Sequence, residues 1–166
     1  MLNWLACSER LLQLDELYEV IAPDADNTEF ASEKEEEIKK YLKQIFSSLI
    51  TISKGGINCI VQFSHYTVKE YLLSKEVKEG HCKEFYVNSI SAHISIAKCC
   101  LISLQKCDES GLSHTPIGSD CRYCPIKRPL LEYAANNWYR HALKAQEEAV
   151  AERTDAARGA TISSPG

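Results

Sequence analysis

The sequence predicts a mainly α fold with one small β-hairpin, arranged as a winged helix followed by an antiparallel helical pair. Three observations carry that expectation. Apolar residues recur at helical spacing in several separate zones. The period then changes from 3.6 to 2 on both sides of Lys54-Gly55-Gly56. Finally, the order helix, helix, helix, hairpin comes before the last two helical zones, which is the order of a winged helix with the hairpin as its wing.

The first helix is the short Leu2 to Cys7 piece. Leu14, Leu17 and Ile21 then stand at helical spacing behind Gln13 and Asp15, and Pro23 closes that segment. The acidic stretch that follows, PDADNTEFASEKEEE, reads as a solvated linker. In EKEEEIKKYLKQIFSSL, the residues Ile38, Tyr41, Leu42, Ile45 and Leu49 share one stripe. The glutamates crowd its N-terminal end, where the helix dipole favours negative charge. Next, Ile57, Cys59, Val61 and Phe63 alternate with Asn58, Ile60, Gln62 and Ser64, which predicts a strand paired with LITIS across the Gly-Gly turn. Ser64 stands at an N-cap position for a helix whose apolar stripe is Val68, Tyr71 and Leu72.

Further on, Ile90, Ile94, Ala97, Leu101 and Leu104 lie on one helical face. Leu131, Ala134, Ala135, Trp138 and Ala142 lie on another, with Pro129 suited to the first turn. These two helices form the predicted antiparallel pair, and His93 and His141, beside the apolar stripes, read as satisfied packing residues rather than ligands. The expected organisation is a winged-helix domain over 1–78 with its wing at about 49–64, and a helical extension over 83–148 carrying a cysteine-bearing loop at 107–125. The polar, small-residue tail 149–166 reads as disordered.

Composition narrows the function. The 166 residues allow one core of ordinary size or a small domain with a helical extension. A net charge of −4, with lysines and arginines scattered among the acids, offers no phosphate-backbone footprint, so a nucleic-acid partner is not expected. No apolar run approaches the roughly 18 residues of a membrane span, and the N-terminus lacks a signal-peptide pattern. The chain therefore reads as cytoplasmic, and its eight scattered cysteines as reduced thiols rather than a disulfide framework.

His65 is the first candidate site residue. It stands between the wing strand and the next helix, where an imidazole either donates a hydrogen bond to an anion or packs half-buried against the hairpin. Four stretches in order, LNWLACSERLLQLDELYEVIA, SSLITI, VQFSHYTVKEYLLS and PLLEYAANNWYRHA, resemble the segment that follows the nucleotide-binding domain in fungal NACHT-type signal-transduction ATPases. Those proteins are relatives of the animal NOD-like receptors, and the module is also known as the winged helix of GPI inositol-deacylase-like proteins. The resemblance spans about Leu2 to Ala142. It implies that His65 is similar to the winged-helix histidine that touches a nucleotide phosphate and holds the closed, ADP-bound state. It also implies partners: a NACHT domain in cis or in trans, supplying ADP or ATP, and repeat domains downstream. Lys69 and Glu70 match the motif and read as solvated surface residues.

No G-x-x-x-x-G-K-[ST] and no G-x-S-x-G occurs, so neither P-loop ATP hydrolysis nor lipase-type acyl transfer is expected of this chain. The expected function is thus a non-catalytic regulatory module, as a fragment or a truncated paralogue of such an ATPase. The rival reading is a stand-alone interaction module holding zinc at Cys107, His114, Cys121 and Cys124, because Cys121-x-x-Cys124 has the bite for one tetrahedral ion. The spacing of Cys107 and His114 does not make a second tight knuckle, and Cys107 can belong to the preceding helix. A DNA-binding winged helix ranks third, since its third helix opens with like-charged EKEEE.

Overall fold

The structure is a computed structural model that describes residues 1–22, 32–46, 48–55, 58–109 and 128–161. Helix α1 (Leu2–Cys7) buries Trp4, Ala6 and Cys7. A two-residue strand, β1 (Leu12–Gln13), leads directly into α2 (Leu14–Ile21). The turn from strand to helix is held by Glu16, whose carboxylate accepts the Gln13 N–H at 2.8 Å and so satisfies a helix-end donor. After α3 (Ser32–Phe46), β2 (Ile50–Gly55) and β3 (Asn58–Phe63) form the wing, with Ile50 opposite Phe63 and Gly55 opposite Asn58. Strand β1 joins the other edge of β3, with Leu12 opposite Val61, so the sheet is antiparallel in the order β1-β3-β2. The predicted hairpin is present, and the third strand is an addition to it. Two residues are too short to show a period of 2, which is why the sequence conceals β1.

Helix α4 (Tyr66–Leu72), α5 (Lys75–Glu79) and a 3-10 turn at Lys83–Phe85 carry the chain to α6 (Ser89–Glu109). Helix α7 (Leu130–Thr161) returns along α6. Ser89 meets Glu148 and His93 meets His141, so the two helices are antiparallel, as predicted. The tail expected from residue 149 is instead helical as far as Thr161. Its Ala, Glu and Arg residues are strong helix formers that extend an existing helix without a new nucleus. Residues 162–166 lie outside the described residues.

One hydrophobic core runs through the whole fold. Leu12, Leu17, Leu42 and Val61 from the winged helix join Ile96, Cys100, Leu130 and Tyr133 from the helical pair in a single buried cluster. Several predicted stripes are shifted in phase. Among the described side chains of α3 only Leu42 is fully buried, while Tyr41 and Ile45 are exposed, and Leu49 falls beyond the helix end at Phe46. Ile21 on α2 and Tyr71 on α4 are exposed as well. On α6 the inward face is Ala92, His93, Ile96, Ala97, Cys100 and Ser103, so the expected Ala97 is buried, with Ile94 and Leu101 turned outward. On α7 it is Leu130, Tyr133, Ala134, His141 and Ala145, and Trp138, Ala135 and Ala142 are exposed. The physical reason is the packing of α6 and α7 against each other and the core, which selects the buried face. Small residues such as Ala92, Ala97 and Ala134 alternate with the large Ile96, Leu130, Tyr133 and the two histidines on the buried faces, while Ile94, Leu101 and Trp138 are turned away.

Candidate functional site

His65 sits where the wing returns to the body of the fold. Ser64 does not cap α4, contrary to the sequence expectation. Its backbone N–H donates to the Leu49 carbonyl at 2.9 Å and its hydroxyl to the Ser48 carbonyl at 3.0 Å, which closes the base of the hairpin. His65 is the N-cap itself, in extended conformation with φ −144° and ψ 145°. Its Nδ1 accepts the Thr67 N–H at 3.3 Å and lies 2.8 Å from the Thr67 hydroxyl oxygen. An acceptor at Nδ1 puts the proton of the neutral ring on Nε2. Among the described residues nothing takes up Nε2, and the ring is exposed beside Tyr66, with ring centroids 4.9 Å apart. The half-buried packing alternative for His65 is not what the structure has.

A groove of about 580 Å³ opens beside this ring. Trp4, Leu12 and Phe63 contribute apolar walls, and Arg10, His65 and Lys69 bring polar groups to it. Lys69 is exposed and four residues after His65, on the same side of the chain. Arg10 is less available. Glu16 holds its guanidinium through both carboxylate oxygens, at 2.5 and 2.8 Å, and Arg10 also stacks 5.1 Å from the centroid of the Tyr133 ring. The helix behind His65 has only seven residues, and its Thr67 N–H is already taken by the ring. Any anion preference of the groove therefore rests on side chains more than on a helix terminus.

A second polar cluster was not legible as a cluster in the sequence. His93 and His141 are buried and hydrogen-bonded to each other through their Nδ1 atoms at 2.7 Å. Tyr133, fully buried, places its hydroxyl 2.8 Å from His141 Nε2 and accepts the Glu9 N–H at 3.0 Å. Burial is the main influence on both imidazoles. It lowers the pKa of His93, and with the neighbouring His93 it pushes His141 down to about 4. For Glu9 burial acts to raise the pKa, but the hydrogen bond and charge of Lys144, 2.7 Å away, hold it below the usual glutamate value. Expecting two satisfied packing histidines found the burial but not their pairing, since nothing in the spacing of residues 93 and 141 signals contact.

Glu19 is the other residue that sequence reasoning passed over. It is buried on α2, where its carboxylate accepts the Leu130 N–H at 2.9 Å and the Ser103 hydroxyl at 3.3 Å. A side chain of the winged helix thus caps the first turn of α7. Of the zinc candidates, Cys107 lies in the last turns of α6, while His114, Cys121 and Cys124 lie outside the described residues. Among the described residues no group of three His, Cys, Asp or Glu side chains is placed to hold a metal ion. Cys100 is a buried thiol pushed up to about 12, chiefly by burial, and so is chemically quiet. No helix among the described residues is long and apolar enough to cross a membrane.

Three helices interleaved with a three-stranded antiparallel sheet and its wing define a winged helix. The chain belongs to the family described as GPI inositol-deacylase, winged helix domain, which matches residues 1–88. It is also similar to the azaphilone pigments biosynthesis cluster protein L of Monascus ruber, with 29% identity over 154 residues. That match covers 89% of this chain but spans only 31% of the relative's length. No solved structure gives a significant match.

Proposed function

We propose that this chain is a non-catalytic regulatory module that packs, in cis or in trans, against a NACHT-type nucleotide-binding domain in the cytoplasm and reads the phosphates of bound ADP through His65. One observation carries the reading. His65 spends Nδ1 on capping α4 and is left with an Nε2–H that is exposed and unpartnered among the described residues. A fixed tautomer with an outward donor suits a phosphate oxygen, and it requires no charge on the ring. Lys69 lines the same groove and adds a cation. In the resting state the donor holds the module against the diphosphate. Exchange to ATP changes that contact, and the module swings away.

Support also comes from the family membership and from a relative more than three times as long as the matched segment, which leaves room for a domain of that kind in such proteins. The test joins this chain to a nucleotide-binding domain of NACHT type and follows the release of labelled ADP. His65→Ala is expected to speed release by about tenfold, the loss of one hydrogen bond to a charged group. Release at the wild-type rate would refute the sensor role.

A further inference from the structure

Both helices of the pair carry apolar residues on two faces. On α7 the winged helix takes up Leu130, through Glu19, and Tyr133, through Trp4 and Glu9. On α6 it takes up Ser103, again through Glu19. At about 3.6 residues per turn, Ala135 and Ala142 stand half a turn round α7 from Tyr133, and Ile94 and Leu101 half a turn round α6 from Ser103. Both sets therefore lie on the side of the pair that faces away from the winged helix. There Ile94 is 42% exposed, Leu101 45% and Trp138 37%, so this side is left largely uncovered. These residues are also the ones whose helical spacing marks apolar stripes in the sequence. The interior uses little of that spacing, and a helix that is apolar on opposite sides is suited to burial on both.

We infer that this outer face joins two copies of the chain into a four-helix bundle, about a two-fold axis parallel to the helices. The face is complementary to itself under that rotation, which lays α6 of each copy antiparallel across α7 of the other. The contacts of Ser89 with Glu148 and of His93 with His141 set Ile94 level with Ala142, and Leu101 level with Ala135, to within a turn. The large Ile94 and Leu101 of one copy thus meet the alanines of the other, and Trp138 lies over the small Ala97 between them. Charge follows the same pattern. No acidic residue occurs from Ser89 to Cys107, where Lys98 is exposed on α6, whereas the exposed Glu132 stands at the rim of α7. The rotation brings each Lys98 within a lysine arm's reach of the other copy's Glu132, while stacking α6 on α6 would set the two Lys98 side chains against each other. The area is sufficient. Ile90 to Leu104 rises about 21 Å, and two packed helices present a width of about 20 Å. A ridged surface of that plan, counted on both copies, reaches the lower end of the roughly 1,200–2,000 Å² that stable interfaces bury. The groove beside His65 stays outside the interface, so this inference stands apart from the nucleotide-sensing role and needs no partner domain.

The experiment is sedimentation equilibrium of the full chain from about 1 to 300 μM, and a dimer with a micromolar dissociation constant is expected. Leu101→Glu places a charge in the centre of the face and should raise that constant at least about tenfold. Ile102→Glu, at a site as exposed but turned aside from the face, should leave it unchanged. Because both sites are exposed, circular dichroism should show wild-type helix content in both variants. Lys98→Glu is expected to weaken the dimer by about fivefold, and Glu132→Lys added to it should restore the wild-type constant. A chain that stays monomeric at about 300 μM would leave the face to a helix of some other protein and overturn the inference. Undiminished dimerisation of Leu101→Glu would overturn it as well, as would equal weakening by Ile102→Glu or a double inversion no better than Lys98→Glu alone.

Discussion

Removing the Glu19 carboxylate is expected to loosen the joint between the winged helix and the helical pair. Glu19 is 6% exposed and accepts two hydrogen bonds, from the Leu130 N–H at 2.9 Å and from the Ser103 hydroxyl at 3.3 Å. Glu19→Ala leaves both donors in a buried site without their acceptor, and the unmade bond to a buried backbone N–H costs about 1–3 kcal/mol by itself. The Ser103 hydroxyl can rotate toward a nearby carbonyl, so it adds less, and part of the total is returned because a buried carboxylate no longer needs to be desolvated. The net expectation is a loss of about 2–3 kcal/mol. Glu19→Gln keeps an oxygen for Leu130 and an amide group that Ser103 can accept from, so it should cost about 1 kcal/mol or less. Urea unfolding followed by Trp4 and Trp138 fluorescence measures both, and exchange of the Leu130 amide localises the effect. The reasoning fails if Glu19→Ala lies within about 0.5 kcal/mol of wild type, or if Glu19→Gln is as damaging as Glu19→Ala.

Stability should decline on acidification. His141 is neutral in the fold, with its pKa pushed down to about 4, and the unfolded chain binds its proton near 6.5, so stability is lost as pH falls between those values. With about 1.4 kcal/mol per pKa unit, the loss is on the order of 3 kcal/mol, and a flat urea midpoint from pH 7 to pH 4.5 would contradict it. Glu9, held below the usual glutamate value, adds a smaller loss once pH drops through its own range. Leu42→Ala should cost about 2–4 kcal/mol because the side chain is fully buried, whereas Tyr41→Ser and Ile45→Ser, one and three residues away, should stay within about 0.5 kcal/mol in the same unfolding assay. Gly80→Ala would bring its Cβ to 2.5 Å from the Glu76 carbonyl oxygen, so α5 must shift. A lowering of the thermal midpoint by several degrees is expected, and an unchanged midpoint would show that α5 moves freely.

The wing and the six predicted helices were readable because they depend on periodicity over six or more residues, whereas α5, five residues long, was not anticipated. Phase was harder. Helix α6 carries apolar residues on most of its faces, so Ile94 and Leu101 looked as suitable for the interior as Ile96 and Cys100. The choice between those faces is made by how α7 and the rest of the core pack on α6, which is a tertiary property. Polar interiors were the second blind spot. Glu16, Glu19, His93 and His141 look like surface or incidental residues in the sequence, yet each is buried and hydrogen-bonded to a partner between three and 111 residues away. His65 was found as a junction residue, but its role as the cap depends on backbone angles that its neighbour Ser64 could equally have adopted. A histidine and a serine both offer a side-chain acceptor, and the sequence alone does not decide which one turns first.

The short loop between α1 and β1 links these features physically. Its Arg10 reaches the groove beside His65, but Glu16 of α2 holds that guanidinium by both oxygens, and the Tyr133 ring of α7 lies beneath it. Its Glu9 gives its N–H to the Tyr133 hydroxyl and its carboxylate to Lys144, both on α7. Two adjacent residues therefore connect the edge of the groove to the helical pair through three separate contacts, and to α2 through a fourth. Lysine could keep the charge of Arg10 but not the two-pronged grip on Glu16 or the stacking on Tyr133. A displacement of α7 at this point has to move the loop, and with it one wall of the groove, unless those contacts break first. The groove and the helical pair thus behave as one mechanical unit while the contacts hold.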